Sequence, residues 1–321
     1  MDKQIYLNGY SVGPLMYSPV KLHGSIVDAL KEESFSRPFS LAFCLEDTVS
    51  EDAVEDAEND LFAILQRITE EAESGDFYLP KIFVRIRSPK QLKELSQRYA
   101  CFRGVLTGFI IPKFFIDNCD AYISVILEQM ELGYRYMPIF ESEKMVPLHT
   151  RYADLAQVKE KLKPVSARIL NIRVGGNDLS NVFGLRRSVK QTIYDVRPVA
   201  NLLVDVLTVF SPDYIVSGPV WEYYAGEGWE EGLRRETELD LANGFIAKTV
   251  IHPNQIPVVN DVLRVSRADY EDAKKILNWE QNQTWLVSGS TEGTRMNEYN
   301  THWRWAEKIL FLARNYGVRE D

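Results

Sequence analysis

Histidine and cysteine are scarce in this chain, at four and three residues out of 321. Cys44, Cys101 and Cys119 are odd in number and have no close CxxC spacing. The sequence therefore offers neither a disulfide framework nor a zinc knuckle, and reduced cytoplasmic thiols are expected. An excess of positive charge is missing too: the net charge of −9 argues against nucleic acid as the main partner, while leaving room for a local cationic pocket. No apolar run approaches the ~18 residues of a membrane span, and the opening MDKQIYLNGYSVGP lacks a basic region followed by a long apolar core. The cytoplasm is the expected location. GxSxG, Walker and HExxH motifs are absent, so serine hydrolase, P-loop and zincin chemistries have no support.

What the chain does contain is alternation. Short apolar segments at 13–19, 38–45, 81–87, 109–113, 137–140, 168–174, 213–218 and 244–253 read as strands. Helical patterns at 24–31, 51–74, 91–98, 116–132, 152–162, 194–210 and 227–243 separate them. Strand and helix alternating eight times predict an α/β fold, a (β/α)8 TIM barrel over residues 1–260. A C-terminal helical extension, 261–321, is expected to carry helices at 269–280 and 301–316. The last of these bears Trp303, Trp305, Ile309, Leu310 and Leu312, an apolar face that must be buried on the barrel or on a neighbouring subunit; a homo-oligomer is expected.

Charged residues fall at the ends of the apolar segments: Glu46 and Asp47, Arg85 and Arg87, Lys113, Glu141, and Asp178 just past a Gly-Gly. In a barrel of parallel strands these ends share one mouth. Carboxylates converging there suit Mg²⁺, which takes few protein oxygens and keeps open positions. Each residue also has a local reading. Glu141 can cap its strand, Asp178 can N-cap a helix, and Glu46 and Asp47 can cap the helix after them. Arg85 and Arg87 can form rim salt bridges or clamp a carboxylate. Lys113 can be solvated or tied to the acids, and Gly175, Gly176 and Asn177 can cradle an anion. His252 reads as a structural residue at a strand end and His302 as a cap or core residue; His23 and His149 have no assigned place.

In this order the segments resemble the citrate lyase β-subunit-like family of the HpcH/HpaI aldolase group, TIM-barrel carbon–carbon lyases. IHPNQIPVVNDVLRVSRADYEDAKKIL is similar to the family's IHPxQI segment and the helix after it. LEDTVSEDA resembles DLEDAV, VRIRSP resembles VRIN, IIPK the PK strand, and GGNDLSNVFG the acidic G-x-x-DL segment. The likeness extends over residues 14–314, and the ending MNEYNTHWRWAEKIL is similar to a branch found in stress-response and tellurite-resistance gene neighbourhoods.

The resemblance implies Mg²⁺ held by Glu141 and Asp178, with Glu46 supporting it through water. It implies catalytic roles for Arg85, Asp47 and Glu298, and substrate binding by Arg85, Arg87, Lys113, Gly175 and Gly176. The implied reaction makes or breaks a C–C bond beside a carbonyl, in a small carboxylate substrate or a CoA thioester, through a metal-stabilised enolate. The chain departs from the family pattern at three places. Cys44 replaces the first acid of DLED, Arg87 stands where Asn is usual, and Asn297 or Glu298 falls where the family places a proton-transferring Asp. Two other functions remain open: a catalytically altered binding partner in a stress complex, and a biosynthetic lyase or synthase acting on a phosphorylated or sugar-like compound.

Overall fold

In the computed structural model of the chain, eight strands lie parallel: β1 (Leu15–Pro19), β2 (Ser40–Cys44), β3 (Lys81–Arg85), β4 (Leu106–Ile111), β5 (Arg135–Phe140), β6 (Ile172–Val174), β7 (Val216–Ser217) and β8 (Thr249–Val250). The structure describes residues 9–20, 26–75, 77–279 and 285–320. His23, the start of the first expected helix and Glu280 lie outside them. The chain divides into two compact units, one ending at Val259 and the other beginning at Asn260.

The strands run β7-β6-β5-β4-β3-β2-β1-β8, and the ring closes between β7 and β8. That seam is short. It consists of a parallel bridge between Gly218 and Lys248, a bond from Gly218 N to Ala247 O (3.0 Å) and one from Ile246 N to Val216 O (2.7 Å). Sequence pattern places a strand over 244–253, but only two of those residues form one. Gly244 takes φ +109° and Ala247 φ +66°, so the chain cannot stay extended before Lys248. Lys248 is fully buried and reaches out to Glu236 (2.9 Å) and Asp240 (2.6 Å).

Helices α1 (Ile26–Lys31), α2 (Val54–Ser74), α3 (Pro89–Arg98), α4 (Cys119–Glu128), α5 (Leu148–Leu162), α6 (Gly176–Val182), α7 (Arg197–Phe210) and α8 (Trp229–Asn243) follow the strands in turn. Their apolar stripes explain their position. In α2, Ala57, Leu61, Ile64, Leu65 and Ile68 are buried at helical spacing, and the acidic residues between them face out. Strand β2, reading SLAFC, is buried at all five positions, as expected for a strand covered on both faces. Inside the ring, Leu15, Ala42, Phe83, Ile110 and Met137 form one apolar cluster beneath the strand ends.

The second unit contains α10 (Arg267–Leu277), preceded by the boundary-spanning α9 (Gln255–Leu263), then the antiparallel pair β9 (Val287–Gly289) and β10 (Met296–Glu298), and α11 (Tyr299–Tyr316). The hairpin occupies a stretch that reads from sequence as turns. No helix among the described residues is long and apolar enough to cross a membrane.

The tightest approach in the barrel wall is between β4 and β5, where a Cβ on Gly108 would lie 1.8 Å from the carbonyl oxygen of Arg135. Backbone cannot yield there without breaking the ladder. Gly108→Ala is therefore expected to lower stability by about 3 kcal/mol, the upper end of typical overpacking costs. An unchanged urea midpoint would show that the wall can relax.

Candidate active site

Polar residues on or just beyond the strands gather at one end of the barrel, around a cavity of about 340 Å³. This lies within the range of roughly 300–1,000 Å³ usual for small-ligand sites. Arg85, the last residue of β3, is 6% exposed and central to the group. Its Nη1 donates to Asp47 Oδ2 (2.9 Å), and its Nη2 to Glu141 Oε1 (3.0 Å) and toward Glu46 Oε2 (2.9 Å). Those acids sit just beyond β2 and β5, so one guanidinium ties three strand ends together. Lys113, held at φ +49° after β4, adds a bond from Nζ to Glu46 Oε1 (2.6 Å) and one from its backbone N–H to Glu141 Oε1 (3.1 Å).

Three carboxylates, Glu46, Asp47 and Glu141, thus share Arg85 and Lys113, and Asp178 is a fourth acid whose charge bears on Glu141. Glu141 shows the strain: burial pushes its carboxyl up to about 7, the Asp178 and Glu46 charges push the same way, and Arg85 and the Lys113 N–H oppose them. Burial also raises Glu46. Asp47 is desolvated as well, yet its bond with Glu46 and the charges of Arg85 and Lys113 hold it below the usual carboxylate range. Among the described residues no group of three or more His, Cys, Asp or Glu side chains is disposed to hold a metal, so any cation here would rest on two acids. Two is within the habit of Mg²⁺, which completes its shell with water and substrate oxygens.

Gly175 explains how Glu141 enters. A Cβ at that position would meet Glu141 Oε2 at 2.1 Å, so the carboxylate passes where only glycine permits it. The next residue, Gly176, opens α6 against Pro219, and Asp178 follows in its first turn. Both glycines and Asp178 line the cavity with Arg85, Asp47 and Glu141.

Other expected residues are placed differently. The Nη1 of Arg87 donates to the carbonyls of Leu45 (3.0 Å), Glu46 (3.0 Å) and Val49 (2.8 Å). This guanidinium clasps the loop that carries Glu46 and Asp47, and it does not line the cavity. Glu46 does not line it either: its two oxygens are engaged by Lys113, Arg85 and the Asp47 N–H. Glu298 belongs to the second unit, where it precedes α11, accepts from Thr301 Oγ1 (2.9 Å) and donates its backbone N–H to His302 Nδ1 (2.9 Å). His252 accepts from Asn254 N (3.2 Å) and stacks on Tyr224.

Tyr17, Arg173 and Thr249 also line the cavity, and sequence reasoning did not single them out. A signal for Arg173 was present: an arginine in the middle of the apolar run LNIRV has no solvent to reach when both faces of the strand are covered.

No curated protein sequence matches the chain. Among solved structures it is similar to CitE from Mycobacterium tuberculosis in complex with magnesium, acetoacetate and coenzyme A. Identity there is 19%, with 95% of this chain and 99% of that one covered and a TM-score of 0.62. A citrate lyase from Burkholderia xenovorans LB400 is 12% identical, with 97% and 94% covered and a TM-score of 0.70. The citrate lyase beta subunit of M. tuberculosis complexed with oxaloacetate and magnesium is 19% identical, with 79% and 98% covered and a TM-score of 0.52. Identities this low make these likenesses of fold. The family model described as C-C_Bond_Lyase of the TIM-Barrel fold matches residues 6–318, and the chain belongs to that family of carbon–carbon bond lyases.

Proposed function

We propose that the chain is a Mg²⁺-dependent lyase that breaks or forms a C–C bond beside a carbonyl, in a carboxylate-bearing hydroxy acid, keto acid or acyl thioester. The observation that carries this reading is the cluster at the barrel mouth, where four carboxylates meet only two paired cations. The donor set fits the ion: hard oxygen ligands, a carboxylate whose charge is disfavoured by burial and then by a neighbouring acid, and a cavity open to a substrate. The fold neighbours bearing magnesium with acetoacetate or oxaloacetate support the same assignment.

Glu141 and Asp178 would hold the ion. Bound there, Mg²⁺ supplies Lewis-acid stabilisation of the negative charge that develops on the carbonyl oxygen. Arg85, fixed by three carboxylates, presents a positive charge that cannot swing away, suited to orienting a substrate carboxylate or carbonyl. Glu46 and Arg87 keep that charge and the Asp47 loop in place. Asp47, half exposed at the cavity and oriented by Arg85, would accept a proton from a substrate hydroxyl. Lys113 does not line the cavity; paired with Glu46, it would act on the substrate only through the acids it holds. Proton transfer by Glu298 and use of CoA are carried on the family resemblance alone. The second unit exposes Trp285 (74%), Met296 (55%) and Trp303 (38%), which supports a homo-oligomer. Three free cysteines support a reducing, cytoplasmic setting.

Calorimetric titration of Mg²⁺ is the direct test. Wild type is expected to bind the ion, and to bind it more tightly with oxaloacetate or pyruvate present, while Asp178→Ala and Glu141→Ala lose at least tenfold in affinity. Equal binding in all three proteins would remove the metal from this mouth.

A second expectation concerns protons. Glu141 has a raised pKa in the folded chain, so between the ordinary carboxylate value, ~4.3, and about 7 the native state holds a proton that the unfolded state has released. With chelator present, stability should fall as pH rises through that window, and Glu141→Gln should flatten the slope. Denaturant midpoints at pH 5, 6, 7 and 8 check this. A wild-type slope unchanged in the variant would assign the titration elsewhere.

A further inference from the structure

Four arginines are buried among the described residues, and three have an acid. Arg85 has Asp47, Glu46 and Glu141; Arg151 has Asp205 (2.8 Å); Arg187 has Glu236 (3.3 Å). Arg173 has none. It sits on β6, in register with Ile139 of β5 and Ser217 of β7, and is 1% exposed. Its Nη2 donates to Thr249 Oγ1 (2.7 Å), the first residue of β8, and its Nη1 has no partner. Both Arg173 and Thr249 line the barrel-mouth cavity.

A guanidinium keeps its proton and is expensive to bury without a counter-charge. An apolar side chain at this place would avoid that cost. Arg173 and Thr249 each carry a donor that the protein leaves unused or spare, and both line the cavity. Nη1 is unpaired, and the Thr249 hydroxyl, which accepts from Nη2, has its own hydrogen to give. Tyr17 lines the same cavity, with its ring 5.8 Å from the Arg85 guanidinium carbon.

We propose that Arg173 and Thr249 form a second anion site in the same cavity, one that receives a carboxylate of the substrate remote from the reacting carbonyl. Arg173 is then a specificity-determining residue, and the substrate is at least a dicarboxylate. A carboxylate suits the site better than a phosphate dianion, because one guanidinium supplies a single positive charge and two hydroxyl or N–H donors match two oxygens. This inference rests on the lyase reading in one respect: it takes Arg85, Glu141 and Asp178 as the end of the cavity where the carbonyl binds.

The test uses Mg²⁺-loaded protein and calorimetric titration of pyruvate, oxaloacetate and 2-oxoglutarate into wild type, Arg173→Met and Thr249→Val. Wild type is expected to bind one of the two dicarboxylates at least tenfold more tightly than pyruvate. Arg173→Met should bring that ratio within threefold of unity, and Thr249→Val should lower it partway. Ligand-free Arg173→Met should unfold at a higher urea midpoint than wild type, where a structural arginine would give a lower one. Equal affinities in wild type, a ratio that survives in Arg173→Met, or inorganic phosphate binding more tightly than either dicarboxylate through Arg173 would each overturn the proposal. If Asp178→Ala still abolishes Mg²⁺ binding in any of those cases, the lyase reading stands without it; if no variant alters Mg²⁺ binding, the lyase reading fails independently.

Discussion

The contact on which the site depends is the hold of Arg85 on three carboxylates. Strands β2, β3 and β5 are packed by apolar side chains up to Cys44, Arg85 and Phe140, and beyond those points the chain turns into loops. Nothing apolar keeps Asp47 and Glu141 near each other. The guanidinium does so, at 2.9 and 3.0 Å, and it does so buried, where an electrostatic contact is strong and its loss leaves charges unsatisfied. Removing that one positive charge would leave the acids repelling each other at the end of a hydrophobic tube.

The supporting residues follow from this constraint. Arg87 does not line the cavity; three carbonyls of the Asp47 loop engage its Nη1, and this clasp holds the loop from which Asp47 meets Arg85. Gly175 lacks a side chain because Glu141 occupies its place. Fixed charge and fixed geometry are what a site needs when it acts on a developing oxyanion, since dipoles already in position need not reorganise during the reaction.

Much of this was readable in the sequence. A strand buried on both faces must be apolar along its length, and a helix lying on a barrel must show an apolar stripe, so the alternation of the two patterns carried the fold. Acids at the ends of apolar runs carried the mouth. What could not be read was pairing. Arg85 and Arg87 look alike in VRIRSP, yet one is the hub and the other a loop clasp, because β3 ends at Arg85 and Arg87 lies beyond it, where the chain has left the strand. Arg173 is a charge within LNIRV that the sequence reading passed over, and its lack of an acid is a property of neighbours from other strands. Strand β8 and the hairpin of β9 and β10 were misjudged for a local reason: positive φ at Ala247 breaks an apolar run, and two short strands can form among turn residues.

The seam between β7 and β8 constrains how the protein can vary over time. Backbone pairing is thin there, and Lys248 is anchored to Glu236 and Asp240 of α8 with Arg187 on the far side of Glu236. Each of these charges is buried, so losing any one strands another, at a cost of about 3–5 kcal/mol. Single replacements at these positions are costly, whereas a joint exchange of both cations and both acids for apolar residues is open. The four positions should therefore be inherited as a block, and a lineage that abandoned one would have had to abandon the others with it.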